Sequence, residues 1–176
     1  MQQTSSVFQW LICSMTAMVF TLASGCHKSV SEPECGYVEG FTKRDVNGVL
    51  IPPADTSDWK QVDDWCPAVE ALFADLSPVI YATADADSLL PVCFPNPAVS
   101  QFILGFYRDD SSRVDIRFVD ADHQLLFSLD SMMVSATMIQ ANDIAPADGR
   151  LVRAYYRVTH PDGTGHRGHG DVQLGY

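Results

Sequence analysis

The stretch Val114-Asp115-Ile116-Arg117-Phe118 alternates between apolar and charged side chains. Successive side chains of a β-strand point to opposite faces, so this alternation predicts a strand with an apolar inner face and a charged, solvated outer face. A two-residue period recurs in five further runs, which are Phe102–Phe106, Leu125–Leu129, Met132–Met138, Val152–Val158 and Val172–Tyr176. The second half of the chain is therefore predicted to be a set of short strands.

Polar clusters separate these runs. Arg108–Ser112 is predicted to be a hairpin connection, and Asp120–Asp122 and Pro161–Gly165 also have the composition of turns. Residues 163–170 are predicted to be a flexible loop. The pattern predicts a mainly β fold, an antiparallel β-sandwich of six to seven strands over residues 91–176.

A different period precedes the strands. Apolar side chains recur at intervals of three and four residues, which places them on one face of a helix; they are Val62, Trp65, Val69, Leu72, Phe73 and Leu76. Asp63 or Asp64 is a candidate N-cap, and Pro67 would then fall in the first turn. We therefore expect one short amphipathic helix, which ends at Ser77-Pro78, within a helix-and-connector segment at residues 59–90.

The N-terminus carries an uncharged apolar run at residues 8–22, followed by Ala23-Ser24-Gly25-Cys26. An apolar run before a small-residue site is the layout of a secretory signal. With Leu22 in front, the tetrad resembles the lipobox of bacterial lipoproteins. This resemblance implies that signal peptide 1–25 is removed and that the sulfur of Cys26 carries a lipid. The alternatives are plain secretion with an unmodified Cys26 and a membrane-spanning helix, which needs about 20 apolar residues.

The lipobox also implies a location. A lipid-modified Cys26 followed by a tether or loop at residues 27–58 places the protein on a membrane of the bacterial cell envelope. His27, where Asp would favour the inner membrane of a Gram-negative cell, favours the outer membrane.

The composition is acidic. The chain has 22 Asp and Glu against 11 Lys and Arg, for a net charge of −11. Binding to nucleic acid or to anionic lipid requires a basic surface, so neither partner is expected. Contact with the membrane is expected through the lipid on Cys26, and an envelope protein is the expected partner.

Five cysteines divide by position. Cys13 leaves with the signal peptide, and Cys26 is the lipid acceptor. In an oxidising compartment a disulfide is plausible among Cys35, Cys66 and Cys93. We favour Cys35–Cys66, which would pin the N-terminal arm onto the helix, with a buried thiol at Cys93; Cys66–Cys93 is the alternative pairing.

The candidate metal ligands are His160, His166 and His169, with Asp162 and Asp171 nearby. Imidazoles and carboxylates in one loop suit a divalent metal such as zinc. The spacing matches no strong template, and turn-rich segments of this composition are usually solvated connections. We expect no metal and no other cofactor, and keep a metal-binding protein or metal-dependent enzyme as an alternative.

Other polar motifs do not support catalysis. Asp85 and Asp87 lack the Gly and Glu of an EF-hand loop. Ser128, Ser131 and Ser135 stand outside any Gly-x-Ser-x-Gly elbow, and a phosphate-binding Gly-x4-Gly-Lys loop is missing from the sequence. The chain is therefore predicted to be a non-catalytic binding or structural module.

Methionine and tyrosine suit adaptable binding surfaces. The candidates are Met132, Met133, Met138, Tyr107, Tyr155 and Tyr156. Strand alternation predicts that about half of them pack between the sheets and that the others lie under the helix or form a partner surface.

The segment Phe94-Pro95-Asn96-Pro97 resembles the opening of small Ig-like C-terminal modules in exported bacterial proteins. These include the sorting domains of the Bacteroidetes-type secretion system and the related domain of flagellar hook-capping proteins. Val114–Asp120, Ala154–Tyr156 and Gly170–Leu174 match later strands of the pattern. The resemblance implies an Ig-like sandwich without catalytic residues, and it makes a secretion-sorting domain a further alternative.

Overall fold

In the part of the chain that the structure describes, the fold is mainly β, with two sheets packed face to face and two short helices. The computed structural model describes residues 40–83, 91–106, 111–146 and 148–175, all within the unit Pro33–Tyr176. The elements in these ranges are β1 (Lys60–Gln61), α1 (Pro67–Ala71), β2 (Ile80–Tyr81), β3 (Val92–Phe94), β4 (Gln101–Gly105), β5 (Arg113–Val119), β6 (Leu125–Met132), β7 (Ala136–Gln140), α2 (Ala141–Ile144), β8 (Arg150–Thr159) and β9 (Thr164–Leu174).

The larger sheet has six strands, and β5 lies in its interior. Its order is β1-β9-β8-β5-β6, and β2 also pairs with β9. All pairs are antiparallel except β2–β9, which is parallel. Seven strands fall within residues 91–176, as predicted, while β1 and β2 come from the segment that was predicted to be helix and connector.

The smaller sheet has three strands in the order β3-β4-β7, all antiparallel. Phe102 and Leu104 of β4 face the larger sheet and are fully buried against residues such as Ile116 and Phe118. Phe102 and Phe118 meet edge to face, with ring centroids 6.1 Å apart. Burying each side chain of this size contributes about 1.5–3 kcal/mol, so this layer contributes strongly to stability.

The predicted hairpin at Arg108–Ser112 is wrong. Strand β4 belongs to the three-stranded sheet and β5 to the six-stranded sheet, so the chain crosses between sheets there. The turn at Asp120–Asp122 is confirmed as the connection of the antiparallel pair β5–β6, where the Asp120 amide donates to the Gln124 carbonyl oxygen.

The predicted flexible loop at residues 163–170 is also wrong, because most of it belongs to β9. The strand was not predicted because glycines interrupt its apolar pattern. Side chains of neighbouring residues occupy the space beside them: the Tyr156 hydroxyl lies against Gly168 and the Trp59 ring against Gly170. Glycine there permits close packing and removes the apolar residues that would mark a strand period.

Helix α1 is shorter than predicted. Pro67 is its first residue, as expected, but Cys66 precedes it with no side-chain cap, so the Asp63 or Asp64 cap is wrong. Beyond Ala71 the backbone forms tighter turns, in which the amides of Leu72 and later residues bond the carbonyl three positions back. The predicted apolar face is confirmed, since Val69 and Phe73 are buried.

The charged face of β5 is not solvated, contrary to the prediction. Asp115 is 4% exposed and Arg117 is 2% exposed. Residues of the segment 62–76 cover this face of the six-stranded sheet, where Trp65, Val69 and Phe73 pack on Val119 and Tyr155. Within the described ranges, no helix is long and apolar enough to cross a membrane; the apolar run 8–22 lies outside them.

Candidate functional site

The outer face of the three-stranded sheet is apolar and open. Two cross-strand rows form it, and we call them together the open face: Phe94–Ile103–Met138 and Val92–Gly105–Ala136. Residues directly opposite on neighbouring strands point to the same side of a sheet, so each row is continuous. Met138 is 58% exposed.

A cavity of about 400 Å³ lies over the first row of the open face. Its walls include Val46, Pro97 and Val99 as well as Phe94 and Met138. Val46 and Val99 are themselves largely exposed. Contiguous exposed apolar groups are uncommon on a monomer and mark interaction sites, so this groove is the best candidate for a binding site.

Uncharged polar groups border the groove. The Gln140 side-chain amide donates to the Gln101 side-chain oxygen over 3.2 Å, and both residues are exposed. Gln101 and Ser100 line the cavity, and the part of its lining that the structure describes carries no charged side chain. A ligand there meets apolar contacts and neutral hydrogen-bonding groups.

The opposite outer face, on the six-stranded sheet, carries buried ion pairs instead. Arg153 holds Asp171 through two parallel hydrogen bonds of 2.7 Å each. The Arg157 Nε donates to Asp115 over 2.8 Å. All four side chains are at most 7% exposed. Because both pairs are desolvated and each charge already has its partner, these side chains belong to the internal structure of the fold and are not free to bind a ligand.

Two further arginines attach the covering segment to this face. Arg117 donates to the Leu72 carbonyl over 2.9 Å and pairs with Asp130. Arg167 pairs with Glu70 and, over 2.9 Å, with Asp64. These guanidinium groups also lie over Phe73, Trp65 and Tyr81. Cation–π contacts and carbonyl bonds therefore fasten α1 and its flanking turns to the sheet.

The three candidate histidines do not form one cluster. His160 and His166 lie with ring centroids 5.8 Å apart, and the Ser112 hydroxyl meets His160 Nδ1 over 2.8 Å. His169 is three residues beyond His166 in β9, so it points to the opposite face of the sheet. Among the described residues, no group of three or more His, Cys, Asp or Glu side chains is placed to hold a metal ion.

His169, which is partly buried, and Asp58, which is buried, are titratable groups with shifted pKa values. Burial, with the charges of Arg153 and Lys60, lowers the pKa of His169 to about 3. Burial raises the pKa of Asp58 to about 6. Its carboxylate accepts hydrogen bonds from the backbone amides of Thr42, Trp59 and Asp171, and the bonds from Thr42 and Asp171 offset part of this rise. Asp58 thus ties the residues around Thr42 to β9.

The structure tests two of the cysteine predictions. Cys66 is disulfide-bonded, and Cys93 is a free, buried thiol as predicted. The alternative Cys66–Cys93 pairing is therefore wrong. Cys26 and Cys35 lie outside the described residues, so lipidation and the Cys35–Cys66 bond stay predictions.

The Met and Tyr candidates that the structure describes divide between buried and exposed positions, as predicted. Met138 and Met133 are exposed, and Met132 packs partly against the core. Tyr156 packs between the two sheets, and Tyr155 packs under α1 and its flanking turns, which are two of the three positions that the prediction gave for these residues. Other candidates, Tyr107, Asp85 and Asp87, fall outside the described residues.

Two central residues of the groove, Phe94 and Ile103, were missed by the sequence reading. The signal that could have found Ile103 is that both alternating sets of β4 are apolar, Phe102 and Leu104 as well as Ile103. Comparison with family models, curated proteins and solved structures finds no match for this chain. The geometry of the groove is therefore what bears on function.

Proposed function

We propose that this protein is a lipid-anchored, non-catalytic binding module of the bacterial cell envelope, and that it binds an apolar polypeptide segment of another envelope protein on the open face. The observation that carries the proposal is the uncharged groove of about 400 Å³ over Phe94, Ile103 and Met138. A flexible thioether beside an aromatic ring adapts to varied apolar side chains.

A polypeptide suits the groove better than an acyl chain does. Gln101 and Gln140 present amide donors and acceptors at the border of the apolar row. The donors and acceptors that these side chains do not use on each other match the backbone amides of a peptide, whereas a hydrocarbon chain would displace water from them without replacing its hydrogen bonds. The net charge of −11 opposes binding to nucleic acid and to anionic membranes.

The anchor and the architecture complete the proposal. The lipobox at Leu22–Cys26 supports attachment through Cys26, and His27 supports the outer membrane. The Phe94–Pro97 motif at the end of β3 supports a relation to Ig-like C-terminal modules. His166 and His169 point to opposite faces of the sheet, which argues against a shared metal ion. A lipid anchor would make a second sorting signal redundant.

Site-specific photo-crosslinking in intact cells tests the proposed binding. A photoreactive benzoylphenylalanine at Val99, in the wall of the groove, should form an adduct with an envelope protein. The same group at Ile80, which is 73% exposed on β2, is the matched control. The Ile103→Glu change should abolish the Val99 adduct because it places a charge in the apolar row. An equal yield from Val99 and Ile80, or no adduct at Val99, would contradict the proposal.

A further inference from the structure

Strand β7 is an unguarded edge of the three-stranded sheet. Among the described strands it pairs with β4 alone. Its sequence, Ala136-Thr137-Met138-Ile139-Gln140, has no charge and no proline, and its pairing with β4 runs without a register shift. Natural proteins usually protect an edge strand with charges, prolines or bulges, because its free amides and carbonyls recruit another strand.

The two sheets are unequal, and the core is incompletely covered beside this edge. Phe127 and Leu129 of β6 lie opposite Phe118 and Ile116 of β5. The β5 side chains are fully buried, whereas Phe127 and Leu129 are only partly buried. Three residues connect β6 to β7, and α2 packs against both strands, so the two edges lie on the same side of the sandwich. A strand added to β7 would cover β6.

The free hydrogen-bonding groups of β7 can be assigned. The Phe106 amide donates to the Ser135 carbonyl, and the Ala141 amide donates to the Ser100 carbonyl. Hydrogen-bonded pairs alternate along an antiparallel ladder, so Thr137 and Ile139 bond β4. The amides and carbonyls of Ala136, Met138 and Gln140 then point away from β4, towards the free edge.

We propose that the partner segment binds as an added β-strand on the free edge of β7. Its backbone would form hydrogen bonds with Ala136, Met138 and Gln140. One row of its apolar side chains would lie over Phe127 and Leu129, and the other row would extend the open face. This rests on the proposed binding function and specifies its partner as an extended segment with alternating apolar residues, uncharged where it pairs. Backbone bonds would supply affinity, and the two apolar rows would supply selectivity.

Two variants at one position separate strand addition from side-chain contact. Met138→Ala removes the side chain and keeps the outward amide, whereas Met138→Pro also removes the amide without breaking a bond to β4. With the photoreactive group at Val99, adduct yield should fall about threefold for Met138→Ala and at least tenfold more for Met138→Pro. Thermal unfolding of both full-length variants should be similar, while Thr137→Pro, which breaks a β4 bond, should melt well below them.

The outcomes distinguish the two proposals. Equal yields for Met138→Ala and Met138→Pro, with an adduct still forming at Val99, would overturn strand addition and leave the binding face intact. If no adduct forms when the chain carries the photoreactive group at Val99 and no other change, both proposals are overturned. If Met138→Pro unfolds, hydrogen exchange of the chain that carries the photoreactive group at Val99 and no other change decides instead: the Met138 amide should exchange at least tenfold more slowly after crosslinking than before, and an unchanged rate would overturn strand addition. Mass spectrometry of the adduct should identify a segment with alternating apolar residues, and a charged or helical segment would contradict the proposal.

Discussion

Arg153 and Asp171 face each other across β8 and β9, and both side chains are almost fully buried. Removing one member of a buried pair leaves an uncompensated charge, so Asp171→Asn should lower the free energy of unfolding by about 3–5 kcal/mol. The double change Arg153→Met with Asp171→Leu should recover most of that loss. Urea unfolding of each variant measures both effects.

The exposed pair Arg150–Asp148, with side chains 43% and 49% exposed, provides the matched control. Asp148→Asn should change the free energy of unfolding by less than about 0.5 kcal/mol, since solvent screens a surface pair. A comparable loss for Asp148→Asn and Asp171→Asn would show that burial does not set the cost.

His169 should make the fold sensitive to acid. Its pKa of about 3 lies below the unfolded value, so its contribution to stability is present above pH 6.5 and is lost as the pH falls towards 3. The loss between pH 7 and pH 5 is about 2 kcal/mol. His169→Gln should remove it, and unfolding at the two pH values measures the difference.

Asp58 should act with the opposite sign. Its pKa of about 6 exceeds the unfolded value, so its stabilising contribution is present below pH 3.8 and is lost as the pH rises through 6. In Asp58→Asn, acidification from pH 7 to pH 5 should therefore cost more than in the wild type. Parallel pH profiles for the wild type and both variants would contradict the assigned burial.

At the scale of elements, the residue that precedes α1, Cys66, is disulfide-bonded. If Cys66 pairs with Cys35, then Cys35→Ala and Cys66→Ala should each cost about 3–4 kcal/mol, and the double change should cost no more than either, because one bond is lost in all three. Cys93→Ala should be additive with either change. A thiol assay on unfolded Cys35→Ala protein should detect one additional reactive thiol, and its absence would exclude this pairing.

The elements that could be predicted are those whose apolar residues keep a period. The alternation around Ile116 predicts β5 and its inner row, and the spacing of Val69 and Phe73 predicts the buried face of α1. Strand β9 lacks such a period because glycine stands at Gly168 and Gly170, where neighbouring side chains pack. Alternation also shows which side chains of β5 share a face, but it does not show that segment 62–76 covers the charged face.

The groove was predictable only in part, for a related reason. Met138 is recognisable as an exposed, adaptable residue, whereas Phe94 and Ile103 look like ordinary core residues until the strands are assigned to sheets. The prediction that β4 and β5 form a hairpin would have placed them in one sheet. It is the crossing between sheets that leaves β3, β4 and β7 with an open outer face.

At the scale of the whole molecule, the two sheets differ in what covers their outer faces. The six-stranded sheet is covered by the chain's own segment, held by Arg117 and Arg167. The three-stranded sheet presents an apolar, uncharged groove. The buried arginines on one side are thus paired within the chain, while an apolar surface is open on the other, which is the asymmetry expected if the protein binds through one face as proposed.

The proposed lipid anchor on Cys26 should control both location and binding. Cys26→Ser should abolish palmitate labelling and move the protein from the membrane pellet to the soluble fraction, since each buried methylene contributes about 0.8 kcal/mol. His27→Asp should move labelled protein from the outer to the inner membrane. The Val99 adduct should also weaken in Cys26→Ser, because anchoring raises the effective concentration of an envelope partner. An unlabelled wild type would contradict the anchor, whereas an undiminished adduct in Cys26→Ser would mean that binding does not depend on it.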